Sequence, residues 1–199
     1  MNKKLVAALS GGAVLLMALS GCSGGDDTDS KVNNWAKKVC DQVQPQLTKI
    51  ASANTSIQQA TSDRSKPAEV QETDSAAFQS ISQAYKALGT AVDSAGAPPG
   101  DEGEKTQQEA VKELNATSTA YAGLKTKVDA LDTKDQAKFA DGLKGVADEL
   151  EKLGTSGDKA LQRLQSGDVG KAMARQPGCQ KPTASTGASS SPTAAGSES

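Results

Sequence analysis

The chain of 199 residues has no histidine, 3% aromatic residues and only three cysteines. Without histidine there is no His-based triad, no imidazole metal ligand and no side chain that switches charge near neutral pH unperturbed. One tryptophan, two tyrosines and two phenylalanines are too few to line a large stacking pocket for a nucleotide or flavin. A basic surplus is missing as well. Its 22 Lys and Arg stand against 24 Asp and Glu, a formal charge of −2, so no nucleic-acid partner is expected. No phosphate-binding Gly-Lys loop, no Gly-x-Gly-x-x-Gly, no Gly-x-Ser-x-Gly elbow and no zinc-binding His-Glu-x-x-His occurs. Asp132, Asp135 and Asp141-Gly142 are acidic, but their spacing does not fit a calcium loop. The sequence therefore implies no metal and no cofactor, and it argues against an enzyme.

What is present divides the chain into segments of different character. Asn2-Lys3-Lys4 followed by the apolar stretch from Leu5 to Leu19 reads as an export signal covering residues 1–21. A spanning helix is the competing reading, yet the run is shorter than the ~20 apolar residues a bilayer requires. From residue 181 to 199 the chain is rich in Ser, Thr, Ala and Pro, with too few apolar groups to fold, and reads as a disordered tail.

The signal ends in Leu19-Ser20-Gly21-Cys22, an aliphatic residue, two small residues and a cysteine. This resembles the lipobox of bacterial lipoproteins. The resemblance implies diacylglyceration of the Cys22 thiol and cleavage just before it. It places the protein at the cell membrane, lipid-anchored on the extracytoplasmic face. Ordinary signal cleavage with a free Cys22 thiol is the alternative. Residues 22–30, rich in Ser, Gly and Asp, read as the lipidated cysteine and a flexible solvated tether.

Cys40 and Cys179 remain, an even number in an exported chain, and read as one structural disulfide. With about 139 residues between them, such a bridge contributes about 4–5 kcal/mol in the chain-entropy model. A redox pair or metal site is disfavoured by the absence of Cys-x-x-Cys spacing and of histidine.

Between them, helical periodicity prevails and no strand alternation is evident. A first stripe comprises Val32, Trp35, Ala36, Val39, Cys40, Val43, Leu47, Ile50 and Ile57, with Ser30 as its expected N-cap and Pro45 as an expected kink. A second seam comprises Phe78, Ile81, Tyr85, Leu88, Val92 and Ala95, broken by Gly96-Ala97-Pro98-Pro99-Gly100. Leu114, Thr117, Tyr121, Leu124, Val128 and Leu131 form a third, with Asp101 and Glu104 as a capping pair. A fourth joins Phe139, Leu143, Val146, Leu150, Leu153, Ala160 and Leu164. Thr133 and Gln136 are its expected capping box, and Gly154 to Gly157 its weak point. Asp168 is expected to cap a short last helix. The prediction is an all-α fold over residues 31–180: an antiparallel four-helix bundle with a short C-terminal helix, stapled by one disulfide.

Trp35, Tyr85 and Tyr121 are the residues from which a ligand site would be built, although each also occupies a seam position where core packing is the plainer account. Charged residues such as Asp148, Glu149 and Glu151 fall between apolar positions and read as a solvated helix face.

The lipobox, the Trp35-Ala36-Lys37-Lys38-Val39-Cys40 segment and the Asp168-Val169-Gly170-Lys171-Ala172-Met173 run before Pro177-Gly178-Cys179 together resemble the small secreted lipoproteins of actinomycetes. That resemblance implies a compartment and brings no catalytic residue. The expected function is a non-enzymatic, membrane-tethered envelope interaction or scaffold protein, with the membrane and an envelope protein as partners. The alternative is an extracytoplasmic ligand-binding module for a transporter or sensor.

Overall fold

The computed structural model describes residues 23–60, 66–156 and 164–180. The export signal, Cys22, residues 61–65, the stretch holding Gly157 and Ala160, and the tail lie outside the described residues. Five helices and no strands are found among those described. They are α1 (Ser23–Ala60), α2 (Pro67–Ala95), α3 (Gly103–Asp129), α4 (Gln136–Ser156) and α5 (Gly167–Arg175), followed by one 3-10 turn, Pro177–Cys179. The chain is the stapled all-α bundle that the helical periodicity predicts.

The long helices run antiparallel. The start of α1 lies beside the end of α2, where Lys38 Nζ donates to the Ser94 carbonyl at 2.6 Å. α2 and α3 run oppositely: Ser82 and Ser118 each donate a hydroxyl to the other's carbonyl oxygen, both at 2.8 Å. The small serines let the two backbones approach closely there. Gln71 Nε2 donates to the Val128 and Leu131 carbonyls at 2.8 and 2.9 Å, which closes the last turn of α3. α4 packs on α3, and α5 with the final turn packs on α1.

Two apolar clusters fill the seam. Val32, Trp35, Ala36, Val39, Leu88, Val92, Ala110, Leu114, Leu164 and Ala172 form the cysteine half. Ala53, Ala77, Phe78, Ile81, Leu124, Val128 and Val146 form the α4 half. Most are positions in the seams read from the periodicity of three and four; Ala53, Ala77, Ala110 and Ala172 are additions. Burial of such side chains contributes about 1.5–3 kcal/mol each.

Cys40 and Cys179 form the disulfide, with Cα atoms 4.9 Å apart. The bridge depends on Gly178. A Cβ at that position would collide with the Cys40 carbonyl oxygen, so only glycine lets the final turn lie against α1. Gly96 has the second special role. Its φ of +80° ends α2, a conformation that L side chains avoid.

Helix ends differ from expectation for local electrostatic reasons. α1 begins at Ser23, not after a Ser30 cap, so the stretch expected to be a flexible tether is helical from Ser23. Asp27 and Asp29 lie in its first two turns, where the positive end of the helix dipole favours carboxylates. Pro45 neither ends nor divides α1. It sits on the exposed face of the helix, away from the buried seam. α3 starts at Gly103, with Glu102 at the cap position and no side-chain cap; backbone bonds from Gly103 to the Gly100 carbonyl and from Thr106 to that of Glu102 close its start. At α4 the cap is Asp135 and not Thr133: its Oδ1 accepts the Ala137 and Lys138 amides, each at 3.1 Å. Ser166, not Asp168, precedes α5, and Asp168 pairs with Lys171 inside the first turn.

Candidate functional site

Trp35 lies on the buried face of α1, 6% exposed. Its Nε1 donates to the Gly96 carbonyl at 2.8 Å, so the indole ties α1 to the loop after α2. Tyr85 and Tyr121 stack across the α2–α3 interface, centroids 5.6 Å apart and planes 11° off parallel. Phe78 packs on Tyr121 at 6.1 Å in a tilted arrangement. Burial raises both phenol pKa values above the ordinary range, and for Tyr121 the neighbouring Tyr85 adds to it. The three expected ligand residues do not gather. Trp35 belongs to the cysteine half, Tyr121 packs on the α4 half, and Tyr85 bridges the two clusters.

Two open clefts lie elsewhere, and none of these three residues lines either. The first, of about 320 Å³, sits at the end where α1 starts. Thr28, Asp29 and Val32 form one wall, the Pro98–Gly103 stretch another, and Ser166 to Val169 a third. Its lining includes three carboxylate side chains, Asp29, Glu102 and Asp168, and no basic one. The second, of about 460 Å³, is a groove between α3 and α4 floored by Ala120, Gly123, Leu124 and Leu153. Lys127, Glu149 and Lys152 rim it, and Lys127 is ion-paired to Glu149 across the groove.

Sequence reasoning missed Asp74. It lies on the apolar face of α2 with Val70, Ala77, Phe78 and Ile81, is 4% exposed, and its Oδ1 has no hydrogen-bond partner. Burial raises its carboxyl from 3.8 to about 6. The signal was legible. Val70, Asp74, Ala77 and Ile81 continue the spacing of fours and threes upstream of Phe78, which puts a carboxylate inside the stripe. Two carboxylates outside the core behave oppositely. Asp129 is held below its usual value by hydrogen bonds from Lys125 and Ser75, and Asp135 by its bonds to Lys138 and Ala137.

Among the described residues no group of three or more His, Cys, Asp or Glu is placed to hold a metal ion. No described helix is long and apolar enough to cross a membrane. Neither cleft is lined by cysteine or tyrosine among the described residues, and the Lys127–Glu149 ion pair spans the α3–α4 groove. Among the described residues the two clefts offer packing surfaces and acidic edges. Comparison with protein-family models, curated proteins and solved structures finds no match.

Proposed function

We propose that this chain is an exported lipoprotein, held through Cys22 at the extracytoplasmic face of the cell membrane, whose helical bundle serves as a non-enzymatic envelope interaction or scaffold protein. The observation that carries the reading is Leu19-Ser20-Gly21-Cys22 directly behind the basic and apolar signal segments. Two or more acyl chains hold a protein stably at a bilayer, each buried methylene contributing about 0.8 kcal/mol, whereas a single chain gives marginal attachment. The scaffold part is supported by what the distinctive side chains do. Trp35, Tyr85 and Tyr121 are engaged in the packing of α1, α2 and α3. The cysteines outside the lipobox are joined to each other.

The decisive variant is Cys22→Ala. It should lose incorporation of a palmitate analogue and move from the membrane to the soluble fraction. Persistence in the membrane pellet without label would refute the lipid anchor. The scaffold half is tested by in-envelope crosslinking of the lipidated protein. A reproducible protein partner is expected; its absence, alongside a saturable small-molecule rise in melting temperature, would replace the scaffold with a ligand-binding module.

A further inference from the structure

Lipid attachment at Cys22 leaves the bundle's posture on the bilayer undetermined, and the start of α1 restricts it. Thr28, Asp29 and Val32 line a cleft together with the Pro98–Gly103 stretch and Ser166 to Val169, so α1 meets the rest of the fold over the turn from Thr28 to Val32, where Val32 is buried. Only residues 23–27 separate this packed point from Cys22, and they belong to α1. Five helical residues rise about 8 Å. The same five fully extended would span at most about 18 Å. The opposite end of the bundle is much farther away, since α3 alone, at 27 residues, is about 40 Å long. A lead this short against a body this long limits the orientations available.

We propose that the anchored protein stands end-on to a phospholipid surface, with the end formed by residues 98–103 and 166–169 facing the headgroups. The turn between α3 and α4 and the α3–α4 groove then point away from the bilayer, toward whatever the protein meets. The inference rests on the lipid-anchor reading of Cys22. Charge at the facing end defines the contact. Asp27, Asp29, Asp101, Glu102, Glu104 and Asp168 are grouped there, against Lys31, Lys105 and Lys171. Lys105 and Lys171 are turned onto Glu102 and Asp168, at 4.0 and 3.0 Å. The acidic excess repels an anionic surface within the ~10 Å reach of charge in saline. The acyl chains therefore hold the end close while its own charge keeps it from binding the headgroups, and divalent cations should draw it nearer.

The experiment uses the full lipidated chain with its disulfide intact, reconstituted in vesicles of phosphatidylglycerol and phosphatidylethanolamine carrying a headgroup-bound acceptor dye. A donor is attached at Asp101→Cys or at Lys134→Cys, both exposed positions at opposite ends. Energy transfer from position 101 should exceed that from 134 several-fold. A long Gly-Ser insert between Ser23 and Gly24 should erase most of that difference by freeing the bundle to tumble. Equal transfer from the two labels while the protein still floats with the vesicles overturns the end-on posture and leaves the anchor standing. An insert without effect overturns it too, because the short lead would not be its cause. Failure of the wild-type chain to float removes the anchor and the posture together, a result distinguishable from the other two.

Discussion

The two halves of the bundle are held by different physics. In the cysteine half, α1, α2, α3 and α5 close around Trp35, Val39 and Leu114, and three kinds of link join distant segments. These are the Cys40–Cys179 bridge, the Trp35–Gly96 hydrogen bond, and the bond from Arg175 Nη2 to Asn33 Oδ1 at 3.2 Å. The α4 half closes around Phe78, Ile81 and Val128 without a covalent link. Several of its contributors, among them Ile57, Leu150 and Leu153, are only partly buried, and it includes Asp74 with an unpartnered oxygen. One half carries a covalent cross-link between elements far apart in sequence; the other has only noncovalent links, the Gln71 bonds to the end of α3 and the Lys127–Glu149 ion pair, beside apolar packing that a buried carboxylate weakens. Regions without a covalent cross-link and with a buried unpartnered carboxylate open more easily, so hydrogen exchange should find the α4 half less protected.

The largest test of this contrast is reduction of the disulfide, or its replacement by Cys40→Ser with Cys179→Ser. The loop closed is 139 residues, and its loss should lower stability by about 4–5 kcal/mol. Trp35, the sole tryptophan, reports on the cysteine half by its fluorescence, and the stacked Tyr85–Tyr121 pair on the middle and α4 half by near-ultraviolet dichroism. In the oxidised protein the tyrosine signal should melt no later than the tryptophan signal. In the reduced protein the tryptophan signal should move to lower temperature by the greater amount. An unchanged tryptophan transition on reduction would remove the staple as the source of the difference.

The contrast was partly legible in the sequence. The four long helices and their seams follow from spacing, because a helix that buries one face must repeat apolar groups at threes and fours; the Cys40–Cys179 pairing follows from the even number of cysteines outside the lipobox. Caps were less legible. Thr133 and Asp135 both suit an N-cap, and the choice falls to the backbone of the preceding turn, where the Lys134 amide is taken by Asp132 Oδ1 at 3.0 Å. The ligand candidates show the limit most clearly. Trp35, Tyr85 and Tyr121 are alike in being rare and aromatic, but which of them meet depends on how α2 registers against α1 and α3. The Ser82–Ser118 contact, between two small polar residues with no sequence signature, sets part of that register. Asp74 was missed for a different reason: its place in the stripe is legible from the spacing, but a single carboxylate in an amphipathic stretch looks solvated until the neighbouring helices cover it.

Asp74 gives the second test, of intermediate size. Its carboxyl titrates near 6 in the fold against 3.8 when unperturbed. A raised acid pKa means the folded chain keeps a proton that the unfolded chain has already released between those two values. The contribution of Asp74 to stability is therefore greatest below about pH 4, declines as pH rises toward 6, and is level above that. At 1.36 kcal/mol per unit the decline is at most about 3 kcal/mol. Asp129 and Asp135 act with the opposite sign, since their lowered values favour the fold at higher pH and lose that effect on acidification. Both remain in an Asp74→Asn variant, so the difference between the two proteins isolates Asp74. The variant should be the more stable of the two at pH 7, with the gain shrinking to nothing near pH 4. Parallel stability curves from pH 4 to 7 would show that Asp74 is not buried in the charged state, and the α4 half would lose its main weakness.

The smallest test, Trp35→Phe, asks whether the halves are separable at all. Phenylalanine keeps most of the apolar body of the side chain and removes the indole N–H. The Gly96 carbonyl then loses its 2.8 Å partner at the point where the backbone turns out of α2. A single hydrogen bond of this kind contributes about 1 kcal/mol net. If the cysteine half is a unit of its own, the loss stays local. The amides of the loop from Gly96 to Glu102 and the first turns of α3 should exchange faster, while those around Phe78 and Val146 keep their rates. Because the disulfide still pins α1 to the final turn, the change should loosen the loop without releasing α1. Equal acceleration in both halves would mean that the bundle opens only as a whole, and the difference between a stapled and an unstapled half would then concern how the unfolded chain is constrained, not how the folded one moves.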